Sequence, residues 1–325
     1  MNRQRQRGVA LIIALVLVAL ATILATKISF DGYLERQRTT GVLAVEQALQ
    51  FAMGAEAIAA DGLIQSRNQS GPKTTLADPW AQPVPPMPIT PPNDPEGEPI
   101  GTVEGTLEDM QGRFNLNNLA RMIVVDSKSG PDPQPLEQFQ RLLVSVGLEP
   151  EWAQRARDWI DADDVPSPDG AEDAVYTAMD PPYRTGNWPM HSTSELMNLK
   201  GFGIERYRRL APYVTALPTA TAINICTAPA LVIESLTQNL HGEYSGNPQV
   251  LTAGRKTGCF PDVATLGNII GAKDAVLIAG KFDDKSDYFR LTTHVTLGTT
   301  RFTLYSLLQR NGAKFTPLLR SFGTL

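Results

Sequence analysis

The sequence predicts an α+β protein: one long N-terminal helix packed on an antiparallel sheet, with a large all-helical domain inserted between the strands. Three observations carry this. An uncharged run of 18 residues, Val9–Thr26, passes into an amphipathic pattern with apolar residues three and four apart. Period-two alternation occurs near Ile100 and again after Tyr288. Between them, residues 117–284 read as mostly helical.

Composition narrows the function classes. The chain has 325 residues, 42% hydrophobic and 19% charged, enough apolar material for a core rather than a disordered chain. A net charge of −5 speaks against a basic nucleic-acid binder. Two Cys and three His leave little to build a zinc module or a haem site.

The elements follow in order. Met1–Gly8 carries Arg3, Arg5 and Arg7 and no acid. Val9–Thr26 has the length and composition of a membrane span, and the positive charge before it predicts a cytoplasmic N-terminus with the remainder exported. The helix is expected to continue to residue 65, with Leu34, Val42, Val45, Leu49, Ala52, Met53, Ala57, Ile58 and Leu63 along its apolar side. Residues 66–99 hold nine Pro between 79 and 99 and read as an exposed, extended linker without helix.

Sheet segments are expected over 100–116 and 285–325. Gly101–Asp109 and Arg113–Leu116 read as strands turning at Gly112. Tyr288–Leu297 alternates, with Phe289, Leu291, Thr293, Val295 and Leu297 on one face; Arg301–Arg310 and Lys314–Leu319 complete a meander turning at Gly298 and Gly312. Within 117–284, helices are expected at Leu136–Val146, Glu151–Ile160, Ser192–Leu199, Ile204–Leu217, Ala228–Asn239, Pro261–Ile270 and Ala272–Ala279.

Chemistry-bearing residues gather in one loop. Asp161, Asp163, Asp164, Asp169, Glu172 and Asp173 crowd 13 positions, and Pro166, Pro168 and Gly170 force irregular backbone. Clustered carboxylates repel unless a cation sits among them, and Ca²⁺ accepts six to eight oxygens at flexible geometry. The spacing is not that of an EF-hand, and a solvated acidic loop is the alternative. Leu199–Val214 contains a helix–Gly201-Phe202-Gly203–helix hairpin with Arg206, Arg208 and Arg209. Such hairpins can point N–H groups at phosphate, but in an acidic, exported chain a structural turn is the better reading. Cys226 and Cys259, in an exported domain, predict a disulfide. No catalytic motif is present, so no enzyme activity is expected.

A short basic leader ending in Gly8 directly before the apolar run resembles a type IV prepilin leader, cut between Gly8 and Val9 by the prepilin peptidase and then methylated at the new terminus. Cleavage removes three Arg and moves the net charge from −5 to −8. Pilins carry Glu at the fifth mature position; here that position is Ile13. A subunit without this carboxylate cannot neutralise the amine of a neighbour ahead of it, which suits the tip of a filament.

The leader, Ile13, DWIDADD…GAEDAVY…PPYRTGN, SELMNLKGF and INICTA together resemble the general secretion pathway protein K family of type II secretion minor pseudopilins. The resemblance spans nearly the whole chain. It implies a pilin-like fold with a helical insert. It implies a tip complex with the I- and J-type minor pseudopilins above the major pseudopilin, an inner-membrane anchor with a periplasmic head, and contact with the secretin or with cargo. It also implies calcium in the helical domain, with the six acidic residues named above as candidate ligands. A tip pilin of a type IV pilus and a nucleic-acid-binding hairpin protein are the alternatives.

Overall fold

The computed structural model describes residues 5–91, 93–94, 96–125, 128–237, 252, 255–259, 262–270 and 280–323. It opens with α1 (Arg5–Ser70), 66 residues long, or roughly 100 Å at 1.5 Å per residue. Next come β1 (Met87–Ile89) and β2 (Gly101–Asp109). The insert supplies β3 (Phe114–Asn115), β4 (Met122–Val125), β5 (Lys128–Pro131), α2 (Pro133–Ser145), α3 (Trp152–Ile160), α4 (Asp173–Tyr176), α5 (Gly203–Leu210), β6 (Val214–Thr215), β7 (Ile223–Asn224), α6 (Ala230–Thr237), α7 (Val263–Ile270) and β8 (Phe282–Asp283). The chain returns through β9 (Tyr288–Leu297), β10 (Thr300–Asn311) and β11 (Lys314–Phe322).

The main sheet runs β1-β2-β9-β10-β11, antiparallel throughout. β2 pairs with β9 from Gly101↔Leu297 to Asp109↔Phe289, so strands about 180 residues apart in sequence lie side by side. The insert fills that gap in the chain. Alternation explains the register: Phe289, Leu291, Thr293 and Val295 are buried on one face of β9, with Leu304, Ser306 and Leu308 of β10 beside them. α1 covers this face.

The first part of α1 is a different environment. Val9 to Leu24 is exposed apolar surface. Within it, Thr22 donates to the Val18 carbonyl at 2.8 Å and Thr26 to the Thr22 carbonyl at 2.9 Å, so both hydroxyls are satisfied inside the helix, as an apolar solvent requires. Packing on the sheet begins at Ala48.

The packed face of α1 overlaps the expected one only in part: Leu49, Ala52, Met53 and Leu63 pack on the sheet as expected. Ala48, Ala52, Glu56, Leu63 and Ser66 are buried, whereas Val42, Val45, Ala57 and Ile58 are exposed. Small side chains let the helix axis approach the sheet, and the larger apolar residues lie outside that seam. A charge is buried in it. Glu56 accepts from Arg320 of β11 (Oε1 to Nη2, 2.7 Å; Oε2 to Nε, 2.9 Å) and from the Ser306 hydroxyl at 2.6 Å. Burial pushes this carboxyl up, but the bonds from Arg320 and Ser306 and the charge of Arg320 outweigh it and hold it below its ordinary value.

Three further expectations are corrected. The segment 66–99 is exposed over residues 82–88, as expected, but it is anchored at both ends rather than being a free spacer. Thr74, Thr75, Asp78 and Ile89 are buried, Pro79–Ala81 forms a short 3₁₀ turn, and Trp80 meets Phe289 edge-on at 5.1 Å. Its β1 closes the sheet edge, where the Pro88 ring costs no ladder bond. Second, no hairpin forms at Gly112. β3 instead pairs in parallel with β6, drawing the start of the insert against Val214–Thr215. Third, the insert is not purely helical, since β3–β6, β4–β5 and β7–β8 form two-stranded sheets. The expected helix Ile204–Leu217 ends at Leu210; Pro212 follows in a 3₁₀ turn, and β6 takes over. The expected helix Ala272–Ala279 lies outside the described residues.

The insert has its own core. Phe114 stacks on Phe139 at 5.1 Å, Trp152 meets Phe202 edge-on, and Trp159 meets Tyr176 edge-on. The Cys226–Cys259 disulfide is formed, with Cα atoms 4.6 Å apart.

Candidate functional site

The acidic loop hangs from the C-terminus of α3. That helix buries Trp152, Ala153, Ala156, Trp159 and Ile160, and the same anchoring buries Asp158 one turn before the loop. Asp161 caps the helix in extended conformation. The chain then loops out and returns through Glu172 into α4.

Carboxylate oxygens of Asp161, Asp163 and Glu172 lie within 4.8 Å of one another. With calcium–oxygen distances of about 2.3–2.6 Å, one ion can touch all three. Glu172 is 3% exposed, and neither of its oxygens accepts a hydrogen bond. The single oxygens Asp158 Oδ1, Asp161 Oδ1 and Asn187 Oδ1 are also out of solvent and unpartnered, although Asp161 and Asn187 as residues are only half-buried. Buried polar atoms normally have partners. Several oxygens converging without donors are what a hard cation needs.

Electrostatics agree. Burial first, then the charges of Asp158, Asp161, Asp163 and Asp164, push Glu172 up to about 7. Burial and then Asp163 and Asp158 push Asp161 up to about 6, with Arg157 opposing. Both groups are held where ionisation is costly unless positive charge arrives.

The other three sequence candidates are occupied differently. Asp173 accepts from the Thr185 N–H and hydroxyl at 2.9 and 2.7 Å, which lowers its pKa. Asp164 accepts from Asn187 Nδ2 at 3.0 Å. Asp169 adopts φ +63° and offers its backbone carbonyl to Arg155 at 3.4 Å. Asp158 was missed because its spacing reads as one more polar position on α3. Gly170 also belongs to the site: a Cβ there would lie 1.9 Å from Asp158 Oδ2, so only glycine admits the loop.

The Gly201–Gly203 hairpin is braced by contacts within its own chain. Both glycines have positive φ. Arg206 folds back to donate to the carbonyls of Gly201 and Phe202 at 3.2 Å and pairs with Glu149 at 3.3 Å, while Arg208 pairs with Glu205. Two of the three arginines are therefore spent on the protein itself.

Comparison with known proteins decides the family. The model for "Type II secretion system (T2SS), protein K" matches residues 112–219, the span that contains the acidic loop and the hairpin. Type II secretion system protein K of Pectobacterium carotovorum is 33% identical over 99% of this chain and 98% of its own length. The chain belongs to the type II secretion system protein K family. The protein K of Klebsiella pneumoniae is 34% identical over 98% of this chain and 97% of its own, and that of Pseudomonas aeruginosa is 32% identical over 99% and 94%. A chain in the crystal structure of the GspK–GspI–GspJ complex from enterotoxigenic Escherichia coli superposes with a TM-score of 0.73 at 25% identity, covering 89% of this chain and all of that one. The α+β fold of protein K is therefore the fold here. Among the described residues, one helix, the N-terminal α1 with mean hydropathy 2.9 in its most apolar stretch, is long and apolar enough to cross a membrane.

Proposed function

We propose that this protein is the minor pseudopilin at the tip of the type II secretion pseudopilus, joined to the I- and J-type minor pseudopilins, where it starts assembly and aids export of folded proteins. The reading is carried by the full-length likeness to protein K chains together with the agreement in fold with the chain of the GspK–GspI–GspJ complex. Two physical features support the tip. The insert enlarges the head far beyond what a subunit with neighbours on every side could hold. Ile13 offers no carboxylate to a subunit ahead. The protein acts by assembly, not by catalysis. The apolar part of α1 anchors it in the inner membrane, with the head in the periplasm.

Asp161, Asp163 and Glu172 would hold a calcium ion that neutralises the loop, including the charge of Asp158, and ties α3 to α4. Such an ion would be structural.

Gly8 and Val9 lie within the helical span of α1. Processing is expected to cut between them and methylate Val9. Intact-mass and N-terminal peptide analysis of the protein from cells with active prepilin peptidase is expected to find a chain beginning at methylated Val9. A chain retaining Met1–Gly8 in those cells would overturn the prepilin reading.

A further inference from the structure

Where the insert joins the sheet, a carboxylate is buried among uncharged donors. Asp109, at the end of β2, accepts from the Gln111 N–H at 2.9 Å, Asn224 Nδ2 at 2.9 Å, and the Thr227 and Ser286 hydroxyls at 2.6 Å each. Asn224 Nδ2 also reaches the Thr74 carbonyl at 3.0 Å, and the Ser286 N–H donates to the Thr74 hydroxyl at 3.2 Å. Four remote stretches meet here: the exit of α1, the end of β2, the insert turn 224–228 and the entry to β9. Gln111 adds a second tie, accepting from the Asp287 N–H at 2.6 Å and donating to the Ala222 carbonyl at 3.3 Å.

The insert turn is held from its far side as well. Cys226 sits between the two residues that bond Asp109, and its disulfide pins residues 255–259 to the turn. From that segment Arg255, 4% exposed, donates to the carbonyls of Ile225 (2.7 Å) and Ala228. Its guanidinium is lowered to about 10 by burial. On the inner side the fit is tight: a Cβ on Gly112 would lie 2.8 Å from the Thr227 hydroxyl.

We infer that the Cys226–Cys259 disulfide is a lock on the joint between insert and sheet, closed after export by thiol–disulfide exchange with a disulfide-bearing oxidant, which leaves as its dithiol, and opened by a reducing dithiol. The covalent bond holds the turn in the one shape that presents both Asn224 and Thr227 to Asp109. On reduction the S–S bond breaks, each sulfur takes a proton, and the dithiol is oxidised to its own cyclic disulfide. The turn then loses a constraint on its unfolded alternatives. A buried carboxylate deprived of donors is costly, so the joint opens before either part unfolds.

Hydrogen exchange of the full chain in detergent, with and without dithiothreitol, tests this. The expected result is at least tenfold faster exchange at the amides of Gln111, Ser286 and Asp287, across the joint from the disulfide, with the β9–β10 ladder and α2–α3 unchanged. Asp109→Ala with the disulfide intact is expected to accelerate Ser286 and Asp287 alike. Acceleration confined to residues 224–228, acceleration everywhere, or slow exchange at Ser286 and Asp287 in the variant would each overturn the lock.

Discussion

Saturating calcium is expected to raise the melting temperature by roughly 5–10 °C over the same protein in chelator, taking about 2.7 kcal/mol of linkage at 100 times Kd and about 2–4 °C per kcal/mol. The gain comes from oxygens that are already buried without donors, chiefly the two of Glu172. Magnesium, which demands tight octahedral geometry and keeps its water, is expected to do much less. Glu172→Gln should abolish the calcium increment yet leave the chelated protein at least as stable near pH 8, because it removes an unpaired buried charge. The pH dependence follows from the raised pKa values. In the folded, metal-free state Asp161 and Glu172 bind protons more tightly than in the unfolded chain. Between the ordinary carboxylate range and about pH 7 the native state therefore holds more protons, and stability falls as pH rises. Chelated protein should melt higher at pH 5 than at pH 8, and calcium should flatten or invert that slope. Scanning fluorimetry over pH with calcium or chelator measures both. Equal melting curves under all four conditions would remove the metal centre from the account.

Arg320→Ala is expected to cost about 3–5 kcal/mol, because it strands Glu56 under α1 with only the Ser306 hydroxyl. Glu56→Ala should cost less, about 1–2 kcal/mol, since the Arg320 side chain is 44% exposed and returns to water. The asymmetry carries the argument: between pH 8 and pH 5 the loss in Arg320→Ala should shrink, because burial without Arg320 makes the stranded Glu56 take up a proton, whereas that of Glu56→Ala should change little, because in the wild type Arg320 holds Glu56 ionised below its ordinary value. Urea midpoints at pH 5 and 8 distinguish the two. Equal, pH-independent losses would mean that the pair is an exposed contact rather than the pin between helix and sheet.

How much of this was legible beforehand depended on whether a signal was local. β9, β10 and β11 announce themselves by alternation and by Gly298 and Gly312, both at positive φ. The disulfide needed only two cysteines and an export signal. β1 was hidden because Pro88 argues against a strand, and only an edge position permits it. β3 was mispaired because its partner, β6, lies 100 residues away. On α1 the periodicity found Leu49, Ala52, Met53 and Leu63 but also drew in Val42, Val45 and Ile58, which stay exposed; Ala48 was passed over as too small, and Glu56 was legible only once Arg320 stood opposite. At the acidic loop the cluster was plain, but which carboxylates converge depends on the bend at Asp169–Gly170 and on Asp158. The Asp109 joint links residues 74, 109, 224, 227 and 286, and no local pattern foretells it.

The central claim is membership of a tip complex, and co-purification measures it most directly. The tagged protein, expressed with the I- and J-type minor pseudopilins of the same system, is predicted to elute with both as one stoichiometric assembly. Elution alone, while the other two remain together, would contradict the account.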